Sequence, residues 1–152
     1  MAINAVVVGY GKSLHPRLFH CQAIRSTEGL SLYGVCARQP AFQEEARKNY
    51  GAKAFASLEE ALEDDRVDLV VISTPSFLHA EMALKALQAG KNVVVEKPMC
   101  LTVSEAEQLT EAARSRGLLL MTRQNRRWDA DFLTVRQIIE EGKLGAVFVL
   151  QA

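Results

Sequence analysis

The sequence has no excess of charge of either sign and no long apolar run. Eighteen Lys and Arg residues balance eighteen Asp and Glu residues, so no net field attracts nucleic acid or an anionic membrane. No apolar run approaches the ~18 residues of a transmembrane helix, and the N-terminus lacks the basic flank and apolar stretch of a signal peptide. We therefore expect no nucleic acid or membrane partner and a cytoplasmic location.

Cysteine is scarce as well. Cys21, Cys36 and Cys100 are odd in number and widely spaced, without the Cys-x-x-Cys pair of a metal or redox site. We predict that all three are reduced residues in or near the core, and we expect no metal.

At 152 residues, with 49% apolar and 24% charged residues, the chain is suited to one folded domain rather than to disorder.

Six short apolar runs alternate with segments in which apolar residues recur every three or four positions. Such runs are typical of parallel strands buried on both faces, and the segments between them of amphipathic helices. The predicted strands cover residues 3–8, 31–37, 52–55, 68–73, 92–96 and 118–122. The predicted helices cover residues 18–24, 41–50, 58–62, 77–87 and 103–113. This alternation predicts a doubly wound α/β domain, in which helices cover both faces of a mostly parallel sheet.

Local signals mark several helix ends. Ser57 before Glu60 and Thr102 before Glu105 have the spacing of capping boxes. Three glycines stand where helices commonly terminate: Gly51, Gly90 and Gly117. Beyond residue 122 we predict a helix over residues 130–141 and a last strand over residues 146–151.

A glycine turn follows the first predicted strand. There the first glycine permits a tight turn and the second lets backbone N–H groups approach a pyrophosphate at a helix N-terminus. A third glycine, usual in such turns, is replaced by Leu14. Two glycines can form an ordinary turn, but after the first strand of an alternating chain we favour dinucleotide binding. The predicted segment is Gly9-Tyr10-Gly11-Lys12-Ser13.

The end of the second strand bears on the choice of coenzyme. An acidic residue there would bind both ribose hydroxyls of NAD, but the sequence reads Cys36-Ala37-Arg38. Because an Arg can pair bidentately with a phosphate, NADP is favoured over NAD. The alternative that Arg38 is only a solvated loop residue stays open.

Two further strand ends carry polar groups. Thr74-Pro75-Ser76 follows the fourth strand and precedes His79, which should lie near the crevice because ligands bind beyond the carboxyl ends of parallel strands. A capping or packing role for His79 stays open. The fifth strand leads into Glu96-Lys97-Pro98. A Lys partly removed from water shares its proton more readily and could handle the proton of an alcohol during hydride transfer, although an ordinary surface turn is the alternative.

Together these segments resemble the glucose-fructose oxidoreductase / inositol dehydrogenase / rhizopine catabolism (Gfo/Idh/MocA) family of NAD(P)-dependent oxidoreductases, over essentially the whole chain. The resemblance rests on the glycine turn with His20, Thr74-Pro75-Ser76 with His79, Ala89-Gly90-Lys91, Glu96-Lys97-Pro98, Asn125-Arg126-Arg127-Trp128-Asp129, and residues 140–145. Two residues depart from the family pattern. Leu14 replaces a glycine, and Ser76 stands where asparagine is common.

The resemblance implies hydride transfer between NADP or NAD and an alcohol of a sugar or an inositol-like polyol. Lys97 matches the catalytic lysine. From these motifs and the resemblance together, the residues predicted at the cofactor are Gly9, Tyr10, Gly11, Lys12, Ser13, Arg38, Thr74, Pro75, His79, Glu96 and Lys97, with Asn125, Arg126 and Trp128 at the cofactor or substrate mouth.

The resemblance also implies a longer protein, in which a second β-sheet domain completes the catalytic group and forms a dimer. We therefore expect residues 1–123 to be the dinucleotide-binding Rossmann domain, and residues 124–152 to be a connecting helix and the first strand of a C-terminal substrate domain. The chain alone is expected to be inactive, and the unpaired edge of its last strand favours a homo-oligomer. The alternative function is a non-catalytic NAD(P)H-sensing module that acts through a partner.

Overall fold

One six-stranded sheet organises the chain. The computed structural model describes residues 2–13 and 15–149. Its strands are β1 (Ile3–Val8), β2 (Leu30–Cys36), β3 (Lys53–Phe55), β4 (Leu69–Ile72), β5 (Asn92–Val95) and β6 (Leu120–Thr122). Their spatial order is β3-β2-β1-β4-β5-β6, and every neighbouring pair is parallel. The predicted Rossmann-type α/β fold is confirmed.

Helices connect the strands. They are α1 (Cys21–Ser26), α2 (Pro40–Tyr50), α3 (Leu58–Leu62), α4 (His79–Gln88), α5 (Val103–Arg116) and α6 (Ala130–Glu140). A π-helix over His15–His20 runs directly into α1, and 3₁₀ turns cover Ser76–Leu78 and Asn125–Trp128. The predicted single helix over residues 18–24 is thus divided, because apolar spacing does not distinguish the two helix types. None of the helices within residues 2–13 and 15–149 is long and apolar enough to cross a membrane.

Alternating side chains of the strands supply two cores. On β1, Val6 and Val8 face the core that contains α4 and α5, whereas Ala5 and Val7 face the core that contains α1 and α2. All four side chains are almost fully buried. Because both faces of the sheet are covered, the strand reads as a continuous apolar run in the sequence.

Both predicted N-cap residues accept a backbone hydrogen bond, and Gly51 and Gly117 are C-caps in the left-handed conformation. Thr102 and Glu105 make a complete capping box at the start of α5. At the start of α3 the Ser57 hydroxyl accepts from the Glu60 backbone N–H, but the Glu60 carboxylate accepts from the N–H of Ala56 rather than from that of Ser57.

The predicted last strand is wrong over the part that can be assessed. Residues 146–149 form no strand, and Leu150 and Gln151 lie outside the described residues. A strand requires a neighbour to complete its hydrogen-bond ladder, and β6 is the last strand of the sheet among the described residues. The preceding helix α6 forms as predicted but contributes no buried residue.

Candidate functional site

A cleft of about 1160 Å³ opens beyond the carboxyl ends of the strands. It lies where β1 and β4 are neighbours, while the helices that follow them pack on opposite faces of the sheet. Such a switch point leaves a crevice that ligands occupy in open α/β sheets. Eleven of the predicted residues line it: Gly9, Tyr10, Gly11, Lys12, Ser13, Arg38, Thr74, Pro75, His79, Glu96 and Lys97.

Gly9 forms the floor of the cleft and could carry no side chain. Its φ is +101°, and a Cβ would lie 2.3 Å from the carbonyl oxygen of Ser73. The ends of β1 and β4 can approach this closely only because residue 9 is glycine. Gly11 is different, since the nearest atom to a Cβ there, the Gly9 carbonyl oxygen, would be 3.9 Å away. The space at Gly11 is therefore open to a ligand.

Tyr10 lines the cleft but is turned into the core. Its hydroxyl donates to Glu45 Oε1 at 2.9 Å, and its ring packs edge-on against Tyr50. Burial, with the Glu45 hydrogen bond, raises the pKa of the Tyr10 hydroxyl. Its backbone N–H donates to the Cys36 carbonyl at 3.2 Å. The predicted contact of Tyr10 with a cofactor is thus limited, because both of its donors already have protein acceptors.

Basic and neutral polar groups line the cleft where β1 and β2 end. Lys12, Ser13 and Arg38 are exposed along its wall. Cys36, at the end of β2, is buried, and burial raises the pKa of its thiol to about 12, which keeps the thiol neutral. Leu14, which replaces the third glycine, lies outside the described residues.

Lys97 lines the same cleft from the end of β5, and its bond to Pro98 is cis. Its side chain is exposed. We predicted that the Lys97 side chain is partly removed from water. The described residues do not cover it, because the side chain extends from the sheet edge into an open cleft.

His79 is almost fully buried and joins two loops of the site. Its Nδ1 lies 2.7 Å from the Pro98 carbonyl oxygen and its Nε2 lies 2.8 Å from the Thr74 carbonyl oxygen. A neutral imidazole has one N–H, which can donate to either carbonyl according to the tautomer. His79 therefore ties the loop after β4 to the loop after β5, and both of its nitrogens face protein acceptors rather than the cleft.

Three predicted residues are not brought into the cleft. Asn125, Arg126 and Trp128 lie on the 3₁₀ turn after β6 and are exposed, Trp128 by 78%. None of them is among the residues that line the cleft. The reason is the strand order, since β5 separates β6 from β4 and the cleft is centred on β1 and β4.

Other residues line the cleft without having been predicted. They include Gln39, Ser57, Glu59 and Ser73. Ser57 and Ser73 follow strand ends, so the rule that ligands lie beyond carboxyl ends could have identified them. Glu59 carries a charge, which is paired at 3.1 Å with Lys85, and no sequence motif indicated its position.

The cysteines and acidic groups give no sign of a metal centre. Cys21 and Cys36 are buried and Cys100 is half-buried, without disulfides, as predicted. Within residues 2–13 and 15–149, no group of three or more His, Cys, Asp or Glu side chains is placed to hold a metal ion.

Comparison with known proteins identifies close similarities. A family profile described as "Oxidoreductase family, NAD-binding Rossmann fold", of the Gfo/Idh/MocA type, matches residues 3–124. The chain is 39% identical to scyllo-inositol 2-dehydrogenase (NADP(+)) IolW of Bacillus subtilis, over 93% of this chain and 38% of that protein. It is 36% identical to 1,5-anhydro-D-fructose reductase of Ensifer adhaerens, over 89% of this chain and 40% of that protein.

A solved structure of an NAD-binding protein from Listeria innocua superposes with a TM-score of 0.90 at 34% identity, over 97% of this chain and 43% of that one. The chain thus spans about 40% of the length of the curated relatives that it matches.

Proposed function

Since the chain belongs to the Gfo/Idh/MocA oxidoreductase family and carries its NAD(P)-binding Rossmann domain, we propose that the full-length protein is a sugar or polyol dehydrogenase. It would transfer a hydride between a nicotinamide cofactor and an alcohol group of an inositol-like substrate. The names of two similar proteins, a scyllo-inositol dehydrogenase and an anhydrofructose reductase, support this substrate class. Residues 1–123 would form the dinucleotide-binding domain, with residues 124–152 leading into a substrate domain.

The observation that carries the proposal is that the glycine turn and Lys97 share one cleft. The cleft suits a dinucleotide because Gly9 lets the backbone come close to Ser73, Gly11 leaves room, and Lys12 and Arg38 bring positive charge for phosphates. Exposed loops at the carboxyl ends of parallel strands are the usual position for such a ligand.

Lys97 is the residue proposed to handle the proton. A bound nicotinamide supplies the hydride acceptor or donor. When an alcohol carbon loses a hydride, the hydroxyl must also lose its proton, and Lys97 Nζ is the group in the cleft that we assign to hold and release it. The ties of His79 to Thr74 and Pro98 would fix the two loops between which that oxygen must sit.

The test is Lys97→Ala in the full-length protein, assayed with a panel of polyols and sugars and with both coenzymes. Loss of a positioned acid–base group should lower kcat about 100-fold or more, with the dissociation constant of the cofactor unchanged. Lys48→Ala, an exposed lysine on α2, is the matched control and should keep the wild-type rate. Wild-type kcat in Lys97→Ala would refute the assignment. Cofactor binding without turnover of any panel member would favour the sensing module instead.

The coenzyme preference is tested separately by titrating the chain with NADPH and NADH. We expect tighter NADPH binding, and Arg38→Ala should weaken it about tenfold or more, because a charge-assisted contact with the 2′-phosphate is lost. NADH binding should be unaffected. Arg47→Ala, on the exposed side of α2, is the control. Equal affinities in the wild type would overturn the preference for NADP.

A further inference from the structure

A nearly buried carboxylate lies directly beside the proposed catalytic lysine. The Glu96 side chain is 12% exposed, although it follows the end of β5 at the rim of the cleft. An ionised carboxylate in such a place must be compensated by charge or hydrogen bonds. Its partners among the described residues include groups from three separate parts of the chain.

One oxygen of this carboxylate faces two basic side chains. Arg123 Nη1 lies 2.9 Å and His20 Nε2 lies 3.0 Å from Glu96 Oε1. Arg123 follows β6, and His20 ends the π-helix that comes after the glycine turn. Both side chains are well covered, Arg123 at 24% and His20 at 5% exposure. The carboxylate therefore connects the cofactor turn, the end of β5 and the end of β6.

The other oxygen faces the lysine itself. Glu96 Oε2 accepts from the backbone N–H of Lys97 at 3.2 Å. The main chain on either side is also held, since Glu96 N–H donates to Ile72 and Arg123 N–H donates to Val95. These contacts hold the side chain and main chain of Glu96 in place, and its Oε2 atom contacts the backbone of the residue proposed to transfer the proton.

We propose that Glu96 is a positioning residue for Lys97, held in place by Arg123 and His20, rather than a ligand of the cofactor. The inference rests on the proposed function of Lys97. It changes the role that the sequence assigned to Glu96, because both carboxylate oxygens already have protein partners. It also gives Arg123 and His20 a part in the site, although neither lines the cleft.

The kinetic test compares Glu96→Gln with wild type in the full-length protein. Glutamine keeps the shape and an acceptor for the Lys97 amide, but it loses the charge that holds Arg123. A displacement of the lysine by a fraction of an ångström should lower kcat about 10- to 100-fold, while KM and the cofactor dissociation constant stay at wild-type values. Glu111→Gln, an exposed acid on α5, should change none of these.

A second variant separates positioning from folding stability. Glu96→Gln removes the carboxylate charge beside Arg123, whereas Glu96→Gln combined with Arg123→Met removes both charges of this pair and should recover most of the lost thermal stability. If Glu96 positions Lys97, kcat stays low in the double variant although its stability recovers. Recovery of kcat in parallel with stability would overturn the inference, as would a cofactor dissociation constant that rises as much as kcat falls.

A readout that does not need turnover keeps this inference distinct from the proposed function. In Glu96→Ala the Lys97 N–H loses its acceptor, so hydrogen exchange at that amide should accelerate about tenfold or more relative to wild type, while exchange in β1 is unchanged. If Lys97→Ala retains the wild-type rate, the proposed function fails. The contact between Glu96 and the Lys97 backbone is still tested, because the exchange measurement does not depend on turnover. Unchanged exchange at Lys97 would overturn the contact itself.

Discussion

At the scale of single residues, the two glycines of the turn after β1 have separate roles. Gly9 is required by the protein itself, because its φ of +101° and the nearness of Ser73 leave no place for a Cβ. A Cβ at Gly11 would meet no such obstacle, so the described residues around position 11 do not require a glycine there. The sequence predicted both positions as one motif but could not separate these roles, because the obstacle at Gly9 comes from Ser73, which follows a distant strand of the chain, β4.

This separation makes a paired prediction. Gly9→Ala should lower the free energy of unfolding by about 3 kcal/mol or more, because it adds backbone strain and a clash with the Ser73 carbonyl. Gly11→Ala should change stability by less than about 0.5 kcal/mol yet weaken NADP(H) binding about tenfold or more, since its methyl group would occupy the space of a pyrophosphate. Urea unfolding and isothermal titration calorimetry measure the two effects. Gly11→Ala with wild-type affinity would contradict the role given to this turn.

At the scale of secondary-structure elements, the apolar runs were sufficient to predict all six strands of the sheet. A parallel strand covered on both faces has few polar positions, so β4, with the sequence Leu69–Ile72, is unmistakable. The sheet order was less accessible, because it depends on which helices pack on which face. The contacts of His79 with Pro98 and of Glu96 with Arg123 depend on that order, and they could not be predicted from either residue alone.

Asp64 joins several elements at the end of the sheet opposite to the cleft. Its carboxylate accepts from Lys53 Nζ at 2.8 Å and from the Tyr33 hydroxyl at 2.6 Å, and Arg66 also pairs with it. Its backbone carbonyl accepts from the buried Lys91, one of the residues that carried the family resemblance. Lys91 is therefore accounted for by structure rather than by cofactor binding.

These contacts predict a pH-dependent contribution to stability. The hydrogen bond from Lys53, with those from Tyr33 and Arg66, holds the pKa of Asp64 well below its usual range. Asp64 therefore stabilises the folded state above its unfolded pKa of about 3.9, and this stabilisation is lost as pH falls below that value toward the folded pKa. Asp64→Asn should be less stable than wild type near pH 7, and the difference should shrink as the solution becomes acidic. Urea unfolding across this range measures it.

The adjacent Asp65 provides the control for this experiment. Its side chain is exposed one position away, so Asp65→Asn makes the same chemical change outside the cluster. Its stability should follow that of wild type at each pH. A difference between wild type and Asp64→Asn that is constant with pH would show that the carboxylate does not stabilise the fold through its charge.

At the scale of the whole molecule, the chain divides into a covered sheet and an uncovered end. Residues 3–13 and 15–122 form two cores around six strands, whereas α6 buries none of its residues. Phe148 is 91% exposed and Val149 is 75% exposed. We predicted association through an unpaired edge strand over residues 146–151, but residues 146–149 form no strand. Any association of this end must therefore depend on exposed apolar side chains.

We define the exposed apolar end as the large hydrophobic residues between 132 and 149 that are exposed: Phe132, Leu133, Val135, Ile139, Leu144, Val147, Phe148 and Val149. Exposed apolar side chains that are concentrated in one segment favour contact with another apolar surface. We expect the chain to associate with a second copy as its concentration rises, and the predicted homo-oligomer stays a prediction that this experiment tests. Sedimentation velocity over a concentration series should show the sedimentation coefficient rising.

Substitution within this end should reverse the association. Phe148→Ser with Val149→Ser removes the two most exposed apolar side chains of residues 146–149 and should shift association to higher concentration, without changing the stability of the sheet, because neither residue belongs to a core. Phe77→Ser is the matched control, since Phe77 is 69% exposed on the 3₁₀ turn before α4, far along the chain from this end. If the wild type stays monomeric at every concentration, or if Phe77→Ser has the same effect as the double substitution, the exposed apolar end is not the surface through which copies associate.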